Sequence, residues 1–178
     1  MQLQQKALME GKMEEEKVLF YEKQRLTQWW LWLIIVLAIV VPSVIQISKM
    51  VENGVPQQQM LHYLLSYIAC CIPVLILISC IKLETRITEQ GVYVRMFPLG
   101  FSFKFYPFSN MTYHIKTYHP VREYGGWGYK GRHNNRSLSI RGDRGLQLEF
   151  PNGNKLLIGT QKDKELLEIL KSLQSNKK

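Results

Sequence analysis

The sequence predicts a membrane α-helical hairpin joined to a small α+β domain, an antiparallel β-barrel or sandwich with a C-terminal helix. Three observations predict it. Two apolar runs, residues 29–47 and 61–81, contain no Lys, Arg, Asp or Glu. After Ile81 the apolar spacing changes from helical to period two. Near the end, residues 164–174 return to a helical stripe with Leu166, Leu167, Ile169, Leu170 and Leu173.

A helix rises about 1.5 Å per residue, so each apolar run covers roughly 28–32 Å, the thickness of a hydrocarbon core. Trp29, Trp30 and Trp32 open the first run, where indoles suit the headgroup level. The run begins too late and is too long for a cleaved signal peptide. Pro42 and Pro73 each remove a backbone donor and predict kinks. No ionisable Lys, Arg, Asp or Glu lies inside either run, which favours an anchor over a transport path. An alternative is a structural or assembly subunit of a larger membrane complex, with Pro42, Pro73, Ala69, Cys70 and Cys71 lining a helix interface. Cys70, Cys71 and Cys80 all fall in the second run and read as small apolar fillers, not as disulfide or metal ligands. The connecting loop, residues 48–60, carries Asn53-Gly54 and Pro56, which are turn residues.

Charge sets the expected topology. Residues 1–28 hold five Lys/Arg and five Glu, and Lys49 balances Glu52. Residues 82–178 hold 17 Lys/Arg and 8 Asp/Glu, so the entire net charge of +9 (17 − 8) lies there. Cations flank the outer ends of the hairpin, Lys12, Lys17, Lys23 and Arg25 before it and Lys82, Arg86 and Arg95 after it. Positive flanks stay inside, so both termini are expected in the cytoplasm, with loop 48–60 outside. Such a basic domain is drawn to anionic headgroups by about 1 kcal/mol per cation near the surface; the alternative is that the positive flanks only set topology.

Residues 1–28 are expected to form a cytoplasmic helix or tail, with Glu14–Glu16 ahead of Lys17, Lys23 and Arg25 suiting the helix dipole. The hairpin occupies residues 29–83 and the β domain residues 84–178. In the latter, 85–88 and 92–97 read as strands around the turn 89–91, and Phe101-Ser102-Phe103-Lys104-Phe105 alternates as a third, its phenylalanines facing inward. Residues 111–118, 137–140, 146–150 and 155–159 follow as strands, with Pro151-Asn152-Gly153-Asn154 as a tight turn. Asp163 is expected to cap the last helix.

Short strands closed by one amphipathic helix form the arrangement of pleckstrin-homology-like (PH-like) domains. The segments 87–95 (Ile-Thr-Glu-Gln-Gly-Val-Tyr-Val-Arg), 122–128 (Arg-Glu-Tyr-Gly-Gly-Trp-Gly) and 157–161 (Leu-Ile-Gly-Thr-Gln), behind two apolar runs, resemble those of an uncharacterised family of bacterial two-span membrane proteins. More loosely, they are similar to bacterial PH-domain membrane proteins. The resemblance implies the fold and the inner-membrane anchoring; the family carries no activity to transfer.

Tyr124-Gly125-Gly126-Trp127-Gly128 is the least ordinary stretch. Its glycines permit close backbone approach, and Arg122, Lys130, Arg132 and Arg136 surround it. Glycine amides with guanidinium groups can hold a phosphate or carboxylate, so these nine residues are the ligand-binding candidates, for an anionic lipid headgroup or a protein partner. The alternative is a structural loop pinned by Trp127. The stretch lacks the spacing of a nucleotide P-loop. His114, His119 and His133 lack zinc-ligand spacing, no nucleophile elbow occurs, and no cofactor is expected. The phenylalanine-rich strand and its cations are explained by packing better than by nucleic-acid binding. The expected role is a membrane-anchored, non-enzymatic binding module.

Overall fold

The structure, a computed structural model, describes residues 16–132 and 134–175. The chain divides into two compact units, Leu26–Cys80 and the remainder.

The first unit is a pair of helices, α1 (Trp29–Glu52) and α2 (Gln57–Ser79). Both are long and apolar enough to cross a membrane, and neither contains a buried residue. They extend past the apolar runs because Lys49, Met50 and the glutamines at 57–59 are good helix formers. The predicted loop 48–60 therefore shrinks to residues 53–56. Gly54, at φ +64°, closes α1 in the left-handed region, and Pro56 precedes α2. The Ile39 carbonyl accepts the Ser43 hydroxyl at 2.7 Å and the Tyr67 hydroxyl at 3.0 Å, the latter tying α2 to α1.

The second unit contains two sheets. Sheet 1 is antiparallel in the order β1 (Phe20–Arg25), β2 (Lys82–Ile87), β3 (Gly91–Phe97), β4 (Lys104–Pro107). The expected helix over residues 1–28 is thus corrected: residues 20–25 are a strand, and residues 1–15 lie outside the described part. The inward face of β1 is Phe20, Glu22 and Gln24, all buried. Two of those three are polar, so β1 has no apolar alternation to betray it. Their partners lie on the far sheet. Glu22 accepts the Thr160 hydroxyl at 2.6 Å and the Gln161 amide at 2.8 Å, and the Gln24 side-chain amide donates to the Gly159 carbonyl at 2.7 Å. The pairing of β1 with β2 makes the whole helix hairpin an insertion between two neighbouring strands.

Sheet 2 runs β5 (Thr112–Thr117), β8 (Arg144–Glu149), β9 (Lys155–Gly159), β7 (Asn135–Ser139), β6 (Gly128–Arg132). The β7–β9 contact is parallel, so the expected purely antiparallel domain is in fact mixed. A short helix, α3 (Pro120–Tyr124), and strand β6 occupy most of the predicted loop. Register places Leu138, Leu146, Leu148, Leu156 and Ile158 on one face of sheet 2. These side chains are buried, as are Leu83, Ile87, Val92 and Val94 of sheet 1. The C-terminal helix α4 (Asp163–Ser175) buries Leu166, Leu170 and Leu173, while Leu167 is exposed. The carboxylate of Asp163 pairs with Arg144.

The expected strand 101–105 begins only at Lys104. Phe101 sits in the turn, 68% exposed. Phe103 folds back over the outer face of sheet 1, between Arg86 and Arg95 at 4.9 and 4.4 Å from ring to guanidinium. Phe105 stacks there on Tyr93, with ring centres 4.5 Å apart. The alternation was genuine, but it faces away from the core between the sheets.

Candidate functional site

β4 and β6 are each one of the two edge strands of their sheet, and a cleft of about 170 Å³ opens between them. Register accounts for its lining. On β4, Lys104 and Tyr106 pair with Val94 and Val92, and so share the core-side face of sheet 1. On β6 and β7, Tyr129 pairs with Leu138, and Arg136 pairs with Leu156 of β9. Val94, Leu138 and Leu156 make the apolar floor, Lys104 and Arg136 supply cations, and Tyr106 and Tyr129 supply phenols. The turn at Leu99, Gly100 and Ser102 forms one wall. A second hollow of about 320 Å³ shares Tyr106, Arg136 and Leu156 and adds Asn152, Asn154 and Lys155. Arg136 therefore lies at the junction of the two.

Arg136 is held by Tyr129. Its guanidinium donates to the Tyr129 hydroxyl at 2.7 Å and lies 5.8 Å from that ring. Burial pushes the Tyr106 hydroxyl above its ordinary value, Tyr129 adds to the effect, and Arg136 opposes it. Lys155 is paired with Glu149 at 2.7 Å; Lys104 has no carboxylate partner among the described residues. Among the described residues, no Asp or Glu lines either hollow. A small, partly apolar recess lined by the cations Lys104 and Arg136 and by the hydroxyl-bearing Ser102, Tyr106 and Tyr129 suits an anionic oxygen cluster such as a phosphate.

The nine sequence candidates do not converge. Arg136 enters the cleft. Tyr124 is buried on the opposite face of sheet 2, clustered with Tyr118 and Leu157. Arg122 is exposed on α3, and Lys130 and Arg132 are exposed on the outward face of β6. The Gly125 and Gly126 amides donate to Val121 and Pro120 carbonyls at 3.1 and 2.9 Å, closing α3. Both amides are thus engaged in capping α3. Gly128, at φ +109°, begins β6. Trp127 is half-buried and donates its indole N–H to the Gly142 carbonyl at 3.1 Å. His133 lies outside the described residues. Lys104, Tyr106 and Tyr129 were missed because alternation reveals a strand's faces but not which sheet edges meet.

A second basic surface covers the outer face of sheet 1. Register forms the rows Tyr21–Arg86–Tyr93, Lys23–Glu84–Arg95 and Arg25–Lys82–Phe97. Glu84 is buried among Arg95, Lys82 and Lys23. Burial pushes its carboxyl up, but the Arg95 hydrogen bond and the three cations outweigh that and leave it below the ordinary value. Arg86 lies 5.4 Å from the Tyr21 ring.

These features define a class: an α+β domain with a cationic cleft, carrying two helices long enough to cross a membrane. The model of DUF6141, a family of unknown function, matches residues 12–176, and the chain belongs to that family. No curated protein and no solved structure matches the chain.

Proposed function

We propose that this protein is a membrane-anchored, non-enzymatic binding module whose cleft takes the anionic headgroup of a lipid at the cytoplasmic face. The observation that carries the reading is the cleft shared by Lys104, Arg136, Tyr106 and Tyr129, with cations and hydroxyls but no carboxylate among the described residues of its lining. The net +9 of residues 82–178 supports it. So do the cationic flanks, which favour both termini inside. The domain's architecture supports a PH-like assignment: four strands in sheet 1, then β5, β8 and β9, then α4, with α3, β6 and β7 inserted after β5.

The test is lipid retention by the full chain in mild detergent, followed by native mass spectrometry with phosphatidylglycerol against phosphatidylcholine. The anionic lipid is expected to be retained preferentially. The double substitution Lys104→Ala, Arg136→Ala is expected to reduce that preference about tenfold, the equivalent of about 1.4 kcal/mol. Equal retention of both lipids contradicts the reading, and a co-purifying protein displaced by the same substitutions points to a protein ligand.

The assembly-subunit reading draws on one specific observation. Ala69 and Cys70 are exposed on α2, so a further helix can approach closely there. A monomer in mild detergent counts against it.

A further inference from the structure

The turn between β3 and β4 carries the two most exposed large apolar side chains among the described residues of the sheet unit, Leu99 at 70% and Phe101 at 68%. Its position in the sheet is informative. Phe97, the last residue of β3, is the register partner of Lys82, which is the partner of Arg25. Arg25 and Lys82 are where the chain leaves for α1 and returns from α2, through residues 26–28 and 80–81. At no more than about 3.6 Å per residue, those linkers have a short reach. The apolar turn thus follows the same end of the sheet to which both helices are covalently tied.

The turn is also fixed and flanked by positive charge. The Arg95 guanidinium donates to the Phe101 carbonyl at 3.3 Å. Phe101 packs edge-on against Phe97, centres 5.4 Å apart, and the Lys82 ammonium lies 5.5 Å from the Phe97 ring. Lys23, Arg25, Lys82, Arg86 and Arg95 share the adjoining face of sheet 1 with two carboxylates among the described residues, Glu84 and, accepting the Tyr93 hydroxyl at 3.4 Å, Glu16. Apolar tips backed by Lys and Arg match the interface of an anionic bilayer, with side chains below the headgroups and cations among them. Two exposed apolar side chains two residues apart on a fixed turn, beside a cationic face, form a tip that such an interface can cover.

We infer that the turn Leu99–Phe101 is an interfacial membrane-insertion element, a third contact of this chain with an anionic lipid surface besides the two helices. The inference rests on the reading that α1 and α2 cross that bilayer. Leu99 and Phe101 enter the boundary between headgroups and acyl chains, while Arg25 and Lys82 meet lipid phosphates.

The test uses the full chain with Cys70, Cys71 and Cys80 changed to Ser, reconstituted in nanodiscs of phosphatidylcholine with about one-third phosphatidylglycerol. A nitroxide is attached at Leu99→Cys, Phe101→Cys or, for comparison, Val121→Cys, which is exposed on α3. Relaxation by oxygen, which partitions into lipid, is compared with relaxation by a water-soluble nickel chelate. Labels at 99 and 101 are expected to favour oxygen several-fold more than the label at 121. Nickel access equal to that at 121, in protein that has entered the nanodisc, overturns the inference and leaves the anchor reading standing. Failure to enter the nanodisc at all contradicts the anchor reading, and this inference falls with it. Both positions are exposed, so if one labelled variant misfolds, the other supplies the result.

Discussion

Arg25 and Lys82 face each other across the β1–β2 ladder, and the entire helix hairpin lies between them in the sequence. A strand pair is usually closed by a turn of a few residues; here it is closed by two helices long enough to span a bilayer. Because the two ends of the insertion are neighbours in one sheet, a single crossing is incompatible with the fold. Two crossings, or none, are compatible.

Strand β1 belongs to the sheet domain although it precedes the helices. Residues 82–178 alone are therefore expected to aggregate or stay unfolded, having lost one edge of sheet 1. Replacing residues 26–81 by an Asn-Gly turn is expected to yield a folded, detergent-free domain. Circular dichroism and gel filtration of the two variants check this; a cooperatively folded 82–178 fragment counts against the assignment of β1.

Glu22 and Gln24 are buried and bonded to the end of β9. Glu22→Ala leaves the Gln161 amide and the Thr160 hydroxyl without their acceptor. In the hairpin-deleted domain this should cost about 2–3 kcal/mol in urea denaturation, against under about 0.5 kcal/mol for exposed Lys17→Ala.

The Glu84 carboxyl is held below its ordinary 4.5. A carboxyl depressed in the folded state contributes stability that is fully present above its unfolded value and is lost as pH falls through the folded value. The wild-type domain should therefore lose stability on acidification below about pH 4.5, and Glu84→Gln should lessen that dependence while costing about 2 kcal/mol at neutral pH. Urea midpoints at pH 7 and pH 4 give the comparison; an unchanged pH slope in Glu84→Gln refutes the role of the Arg95–Glu84 pair.

Tyr124 is buried against Tyr118, with ring centres 5.8 Å apart, whereas Trp127 is half-buried over the β7–β8 turn. Tyr124→Ala should destabilise by about 3 kcal/mol and Trp127→Ala by about 1–2 kcal/mol. If either change removes headgroup retention while leaving the melting temperature intact, the glycine-rich segment is itself a recognition element.

Much of this architecture was written in local patterns. Long uncharged runs gave α1 and α2, alternation gave β2, β3, β5, β8 and β9, and a leucine stripe gave α4. What escaped had a physical reason. β1 turns Glu22 and Gln24 inward, because its partners are a backbone carbonyl, a hydroxyl and an amide on the far sheet, and no apolar period results. β6 carries Gly128, Gly131, Lys130 and Arg132 on an exposed edge, so its composition is that of a loop. Of the nine candidate residues only Arg136 reaches the cleft. The positions that join it, Lys104, Tyr106 and Tyr129, are brought there by the meeting of two sheet edges, a long-range event with no local signature.

The central claim is that the hairpin crosses the membrane and holds the cleft domain on the cytoplasmic side. Thiol labelling in intact cells tests it most directly, using the full chain with Cys70, Cys71 and Cys80 changed to Ser and a single cysteine at Asn53→Cys, between the helices, or Ser172→Cys, on α4. An impermeant maleimide should label position 53 in intact cells and position 172 only after permeabilisation. Labelling of position 172 from outside, or recovery of the chain in the aqueous fraction without detergent, contradicts the account.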